Sequence, residues 1–153
     1  MTIRTATTQD VYDIIKLNTL LFYEDGGTLG LGIDVTWPSK EGEEYFTHII
    51  NGKVSDVFLA EVEDEIVGYL SAFVRPLSSW RPVTIAELDS MFVLGDFRSQ
   101  GIGKGLVEHF MKWAKEKNVE YVSVNAFSKN ERALAFYTSC GFEQYSETLE
   151  KKI

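Results

Sequence analysis

The alternation of hydrophobic and polar positions divides the first half of the chain into strands and helices. A short strand is predicted over residues 2–7, followed by an amphipathic helix with Thr8 as its N-cap. A second, shorter helix is predicted from an N-cap at Ser39. Residues 57–62 and 66–75 are rich in β-branched and aromatic side chains, so they are predicted to pair as a hairpin.

The second half of the chain alternates more regularly between the two kinds of element. A long strand is predicted over residues 83–94, then a helix over 101–118, a strand over 121–127 and a helix over 130–140. Residues 143–153 are predicted to form terminal strands. Because a strand–helix–strand unit places its strands parallel, this order predicts an α/β or α+β domain with a mixed sheet flanked by helices.

The long strand over residues 83–94 carries two carboxylates among its apolar positions. Alternation places Glu87, Asp89 and Met91 on one face of the strand, and Leu88, Ser90 and Phe92 on the other. Two carboxylates on one face are candidates for general acid–base chemistry.

Composition and charge narrow the classes of protein to which the chain can belong. Its 153 residues, 44% hydrophobic and 25% charged, are typical of a single globular domain over residues 1–153. The formal net charge of −8 argues against nucleic acid or an anionic membrane as a partner. A single cysteine and an N-terminal segment without an apolar core predict a cytoplasmic location. His48 and His109 lack the neighbours of a zinc site, so no metal is expected.

A glycine-rich loop lies between the long strand and the long helix, in Arg98-Ser99-Gln100-Gly101-Ile102-Gly103-Lys104-Gly105. Backbone N–H groups at a helix start bind anions, and glycines allow a ligand to approach the backbone. A Walker A loop would need glycine in place of Arg98 and Ser or Thr in place of Gly105. The dinucleotide pattern G-x-G-x-x-G also fails, because Leu106 stands at its third glycine.

Two motifs together resemble a known family. Arg98-x-x-Gly101-x-Gly103, after a strand that ends in residues 91–94, resembles the acetyl-CoA-binding motif of the GNAT N-acetyltransferase superfamily. Downstream, the stretch from Asn130 through Phe136-Tyr137 to Gly141-Phe142 resembles a second signature of that family. The resemblance covers residues 85–142 and implies a GNAT-like fold with a splayed central sheet.

The resemblance implies acetyl-CoA as the acyl donor. Its pyrophosphate would lie on the N–H groups of residues 100–105, and its pantetheine arm would pair with the backbone of residues 92–94. Tyr137 would protonate the departing thiolate, although core packing is an alternative role, and Asn130 would hold the cofactor, although it is also a good N-cap. The implied cofactor-binding residues are Phe92, Val93, Leu94, Arg98, Ser99, Gln100, Gly101, Ile102, Gly103, Lys104, Gly105, Asn125, Asn130, Phe136 and Tyr137.

Transfer to an amine also requires a base. An alkyl amine with a pKa near 10.4 is protonated at pH 7, and presenting it neutral costs about 4–5 kcal/mol. Glu87, Asp89 or a water chain could accept the proton. Glu87 precedes Arg98 by eleven residues, the spacing at which some members of the resembled family carry a glutamate base.

Charge is distributed unevenly along the chain. Residues 1–97 hold six Lys and Arg against sixteen Asp and Glu, net −10, and residues 98–153 hold nine against seven, net +2. A cationic acceptor is therefore expected at the acidic first half, with Glu24, Asp25 and the loop residue Trp80 as candidate contacts. Acidic surface that serves only solubility is the alternative.

The sequence thus predicts an N-acetyltransferase in which a small-molecule or peptide amine attacks acetyl-CoA directly in a ternary complex. The alternative is a non-catalytic acyl-CoA-binding regulatory module, which would share the cofactor motif. A homodimer is a further expectation from the resemblance, and no sequence feature fixes its interface.

Overall fold

Strands from both halves of the chain form one mixed sheet in the computed structural model, which describes residues 1–153 in full. The strand order is β1-β2-β3-β4-β5; neighbours from β1 to β4 are antiparallel, and β4 and β5 are parallel. The prediction of an α/β fold with a mixed sheet is confirmed. The strands are β1 Thr2–Thr5, β2 Ser55–Val62, β3 Glu65–Val74, β4 Ile85–Val93 and β5 Tyr121–Val124.

Four α-helices cover the sheet, and a π-helical segment, Tyr23–Thr28, continues the first of them. No helix combines the length and the apolar character that a membrane span requires. The helices are α1 Val11–Phe22, α2 Trp37–Asn51, α3 Ile102–Glu116 and α4 Glu131–Ser139, with short 3₁₀ turns at Thr8–Asp10 and Gly95–Phe97.

The two faces of the sheet support two hydrophobic cores, as the alternation of side chains along a strand requires. On the α1–α2 face, helices α1 and α2 pack on β2, β3 and β4 through a core that includes Phe46 and Tyr69. On the α3 face, helix α3 packs on the same strands through a core that includes Leu88 and Phe110.

Two predicted helix caps are wrong. Thr8 begins a 3₁₀ turn rather than capping α1, and the carboxylate of Asp10 accepts the N–H of Thr7 (2.7 Å) at the start of that turn. Helix α2 begins at Trp37, so Ser39 lies inside its first turn. Pro38, which lacks an N–H and has a fixed φ, suits that first turn and starts the helix earlier.

The predicted terminal strands are also wrong. Residues 143–153 form neither strand nor helix, and every one of them is exposed. Five of these eleven residues are Glu or Lys. The segment therefore has few apolar side chains whose burial would offset the entropy of ordering a strand.

A β-bulge changes the faces predicted for β4. Ser71 pairs with Ser90 and Ala72 pairs with Leu88, so Asp89 is the extra residue. Alternation is interrupted there, and Phe92 packs on the α1–α2 face while Met91 packs on the α3 face. The predicted faces of Ser90, Met91 and Phe92 are therefore wrong, whereas Glu87 and Asp89 share the α1–α2 face as predicted.

Candidate active site

The site begins where β4 and β5 separate. These parallel strands pair from Ile85 with Tyr121 to Leu88 with Val124. Strand β4 continues to Val93, whereas β5 ends at Val124. The edge of β4 beyond Leu88 therefore has no strand partner on this side, and an extended ligand can pair with it.

The backbone of the last residues of β4 is partly engaged already. The Leu94 N–H donates to the Val67 carbonyl (2.9 Å), so the N–H of Leu94 points toward β3. Because successive residues of an antiparallel strand alternate, Phe92 also points its backbone toward β3, and Val93 and Met91 point toward the open edge. Of the three residues predicted to pair with the pantetheine arm, the geometry favours Val93 through its N–H, because its carbonyl already accepts from Nε of Arg98, and it adds Met91.

The glycine-rich loop ends in a helix start suited to an anion. Gly101 is the N-cap of the 15-residue α3 and has a φ of 82°, in the left-handed region that favours glycine. The Gly105 N–H already donates to the Gly101 carbonyl (2.9 Å). The N–H groups of residues 101–104 are the ones without an intrahelical acceptor, so the predicted cradle is shorter than residues 100–105.

Two of the three glycines in this loop face protein rather than open space. A Cβ on Gly103 would lie 3.2 Å from Cζ of Phe136, and a Cβ on Gly105 would lie 2.9 Å from Cδ1 of Ile3. No atom lies within 4 Å of the corresponding position at Gly101. Close packing explains why residues 103 and 105 are glycines. The contact with Gly103 also gives Phe136, a predicted cofactor residue, a role in holding α4 against α3.

The two cations of the loop differ in their surroundings. Arg98 donates from Nε to the Val93 carbonyl (2.7 Å) and from Nη2 to Glu24 (2.7 Å), and its guanidinium lies over the Phe92 ring. Its charge is thus already compensated. Lys104 is exposed in the first turn of α3 and forms no ion pair, so it is the cation free to meet a phosphate.

Glu87 is firmly paired. Its carboxylate accepts from Nε of Arg75 and, at 2.9 Å, from Nδ2 of Asn125. Asn125, which was predicted to bind the cofactor, directs its Nδ2 toward Glu87. Both donors hold the Glu87 carboxylate in place on its strand.

Asp89 lies in a different environment. Its Oδ2 accepts from the Tyr45 hydroxyl (2.7 Å) and from the Ser71 hydroxyl (3.0 Å), and no cation pairs with it. Burial raises the pKa of Asp89, and the nearby charge of Glu87 raises it further. A carboxyl group that holds its proton more strongly than usual is a candidate general base.

The polar network around Asp89 extends into the α1–α2 face. Ser71 also contacts Ser90 (2.9 Å), Tyr69 donates to Ser90 (3.0 Å), and Asn18 donates to Tyr69 (2.7 Å). None of these partners was predicted. Ser71 inside an otherwise apolar strand was a visible signal, but its contact with Asp89 depends on the bulge.

Helix α4 carries the other predicted catalytic side chain. Tyr137 packs edge-on against Phe136 and Phe142, and burial raises the pKa of its phenol, as do Cys140 and Asp25 nearby. Its hydroxyl has no hydrogen-bond partner in the protein. Packing and chemistry are therefore compatible roles for Tyr137.

The predicted N-cap role of Asn130 is confirmed, because its Oδ1 accepts the Ala133 N–H (3.0 Å). Its Nδ2 lies 3.5 Å from Asp25. Glu24 pairs with Arg98 and Arg132, so it has no free charge for an acceptor.

Asp25 borders a cavity of about 310 Å³ together with Asn130. Burial raises the pKa of Asp25, and the charge of Glu24 raises it further. Trp80 is 79% exposed on the loop before β4.

Comparison with known proteins places the chain in a family. The model of the acetyltransferase (GNAT) family matches residues 12–142, so the chain belongs to that family. An uncharacterised N-acetyltransferase of Methanocaldococcus jannaschii, MJ1207, is 27% identical over 94% of this chain and 61% of its own length. An N-alpha-acetyltransferase of Sulfurisphaera tokodaii is 28% identical over 93% of this chain and 80% of its own.

Solved structures agree with the fold. A tetramutant of the Bacillus halodurans protein BH1408 is 25% identical, with a TM-score of 0.90 over the whole of both chains. The aminoglycoside N-acetyltransferase AAC(6')-Iy, solved with CoA, is 18% identical, with a TM-score of 0.75 over 99% of this chain and 98% of that one. The chain is an acetyl-CoA-dependent acetyltransferase, and the open β4 edge and the left-handed Gly101 at the start of α3 suit that acyl donor.

Proposed function

We propose that this enzyme transfers the acetyl group of acetyl-CoA to a primary amine of a cationic acceptor, by direct attack of the amine in a ternary complex. The observation that carries the proposal is Asp89, a largely buried carboxylate without a cationic partner, beside the point where β4 and β5 separate. A protein that only binds acetyl-CoA needs no such carboxylate, whereas an enzyme that deprotonates an amine needs a proton acceptor.

Asp89 is the first candidate for the base, ahead of Glu87. Its raised pKa brings its proton affinity closer to that of the amine, which improves a general base working near neutral pH. Glu87 is held by Arg75 and Asn125 and would act by orienting a water or the amine. This order reverses the one that spacing along the sequence favoured.

Acetyl-CoA supplies an activated acyl thioester, and the chain supplies its orientation and the charge stabilisation. Backbone N–H groups at the open edge of β4 would polarise the carbonyl. Tyr137 would donate its hydroxyl proton to the departing sulfur. The burial that raises its pKa keeps the phenol protonated, and the same burial would disfavour a free thiolate, so the proton transfer is favoured in that environment.

The acceptor is proposed to be cationic because of where the charges lie. The segment before Arg98 has a net charge of −10, and its helices α1 and α2 lie on the face that carries Asp89. Negative charge raises the local concentration of a positive substrate. Relatives named for N-alpha or aminoglycoside acetylation act on amines, in agreement with this class.

A thiol-release assay with acetyl-CoA tests the proposal. Spermidine, an aminoglycoside and a lysine-rich peptide are compared with propylamine and an acidic peptide of matched length. We expect the highest kcat/KM for multiply charged amines, a decrease with rising salt, and intersecting initial-velocity lines. Equal kcat/KM for all amines would reject the cationic acceptor, and an acetylated enzyme detected before acceptor is added would reject direct attack.

Calorimetry with acetyl-CoA separates the enzyme from the alternative function. Binding without thiol release for any amine would favour the non-catalytic regulatory module. The cytoplasmic location and the homodimer remain predictions, to be tested by cell fractionation and by light scattering.

A further inference from the structure

The π-helical segment after α1 contacts two distant parts of the site through one side chain. Glu24 accepts from Nη2 of Arg98 at 2.7 Å through one carboxylate oxygen. Through the other oxygen it accepts from Nη2 of Arg132 at 2.9 Å. Both oxygens are thus engaged by guanidinium groups through charge-assisted hydrogen bonds, which are stronger than bonds between neutral groups.

The two arginines belong to different elements of the site. Arg98 immediately precedes the glycine-rich loop and is itself fixed to the end of β4 through the Val93 carbonyl. Arg132 lies in the first turn of α4, five residues before Tyr137. Glu24 therefore connects the frame of the cofactor loop to the helix that carries Tyr137.

The hydrophobic anchors of helix α4 lie beyond its first turn. None of its residues is fully buried, and no strand follows it. Phe136, Tyr137 and the C-cap residue Cys140 pack against the core of the α3 face, where Phe136 meets Gly103 and Tyr137 meets Phe142. At its N-terminus the contacts from the π-helical segment are those of Glu24 with Arg132 and Asp25 with Asn130.

We propose that Glu24 is a positioning residue that fixes α4, and with it the Tyr137 hydroxyl, relative to the end of β4. The inference rests on the proposed role of Tyr137 as the proton donor to sulfur. A displacement of about 1 Å of a catalytic group lowers turnover by up to about a hundredfold, so a link of this kind acts on kcat. Glu24 also lines the cavity beside Asp25, but both of its oxygens are engaged by arginines, so the proposal gives it a positioning role and no contact with the acceptor.

The test replaces Glu24→Gln, which keeps the size of the side chain and removes its charge. We expect kcat to fall about tenfold, with the KM for acetyl-CoA and for the acceptor changed less than about threefold. Arg132→Gln leaves the pair between Glu24 and Arg98 intact and is expected to reproduce most of the loss. Its side chain is 61% exposed, so this second variant is expected to fold even where Glu24→Gln does not.

A double-mutant cycle with Tyr137→Phe identifies the route of the effect. If Glu24 acts through Tyr137, then Glu24→Gln lowers kcat in the wild-type background and has no further effect in the Tyr137→Phe background. Asp13→Asn, which removes the exposed pair with Lys16, is the matched control and should leave kcat unchanged.

Three results would overturn the proposal and differ from one another. A raised acceptor KM at constant kcat would assign Glu24 to the acceptor. An equal loss of kcat in the Tyr137→Phe background would assign it to another route. Unchanged turnover of Tyr137→Phe itself would remove the proposed role of Tyr137, and the origin of any Glu24 effect would then lie elsewhere.

Discussion

Two mostly buried carboxylates, Asp10 and Asp89, have opposite surroundings. Asp10 accepts from the Arg4 guanidinium through both oxygens, at 2.8 and 2.9 Å, and lies beside the first strand. Asp89 accepts only from hydroxyl groups and has Glu87 as a neighbour. The Arg4 hydrogen bonds lower the pKa of Asp10 to about 2, whereas burial raises the pKa of Asp89.

On the proposed mechanism, this difference distinguishes a structural acid, Asp10, from a reactive acid, Asp89. A guanidinium compensates for burial and favours the ionised form, so Asp10 strengthens the fold and has little affinity for a proton. Hydroxyl groups satisfy the hydrogen bonds of Asp89 without neutralising its charge. Asp89 thus retains the proton affinity that acid–base chemistry requires, at some expense in stability.

The largest expected effect comes from Asp89→Asn. Loss of a general base lowers turnover by about 10²- to 10⁴-fold, while the acetyl-CoA affinity measured by calorimetry stays unchanged. The amide oxygen of asparagine can still accept from Tyr45 and Ser71, and no charge is buried, so the melting temperature should be equal or higher. Turnover within threefold of wild type would show that Asp89 is not the base.

Asp10→Asn is expected to give the reverse result, a loss of stability with unchanged turnover per folded molecule. The shift in the pKa of Asp10 from 3.8 to about 2 corresponds to about 2 kcal/mol, reduced to about 1–2 by solvent screening of Arg4. Because the folded pKa is the lower one, this stability is present above about pH 4 and is lost as pH falls toward 2.

Urea denaturation at pH 7 and at pH 3.5 checks this sign. The difference between Asp10→Asn and wild type should be larger at pH 7. A difference that is independent of pH would mean that the ion pair with Arg4 contributes nothing through proton linkage. Asp13→Asn, in an exposed pair, serves as the control.

Much of the fold could be predicted because its signals are local. The hairpin between β2 and β3 turns at Glu63 and Asp64, both with positive φ, between strands of clear β-branched pattern. The amphipathic pattern of α3 and the glycine-rich loop before it predicted a helix between β4 and β5, and hence that these two strands are parallel. The first family motif lies in the glycine-rich loop and the start of α3, and the second spans α4.

The chemistry of the site was harder to predict because it depends on long-range partners. The sequence shows that Glu24 and Glu87 are acidic, but it does not show their ion-pair partners. Arg132, which pairs with Glu24, is 108 residues away, and Arg75, which pairs with Glu87, is twelve residues away. The bulge at Asp89 arises from the pairing of β4 with β3, in which Ser71 opposes Ser90 and Ala72 opposes Leu88, and it decides which side chains of β4 share a face with the carboxylates. Counting charges along the sequence therefore could not show which carboxylate lacks a cationic partner.

A smaller effect should follow from Glu87→Gln. The charge of Glu87 raises the pKa of Asp89, and its removal leaves Arg75 without its partner beside the site. Both changes favour ionised Asp89, so the acid limb of the profile of kcat/KM against pH should move to lower pH. Plateau turnover should fall less than in Asp89→Asn. A loss as large as in Asp89→Asn would make Glu87 the base instead.

The smallest effect is expected from Tyr45→Phe, and it has the opposite sign. The Tyr45 hydroxyl donates to ionised Asp89 at 2.7 Å and lowers its pKa against the effect of burial. Without that donor, Asp89 keeps its proton to higher pH, so the acid limb should move upward while the plateau changes little. Opposite movements of the limb in Glu87→Gln and Tyr45→Phe would identify Asp89 as the group that titrates, because Tyr45 and Glu87 both act on it. Movement in the same direction, or none in Tyr45→Phe, would assign the limb to another group and leave Asp89 a structural acid like Asp10.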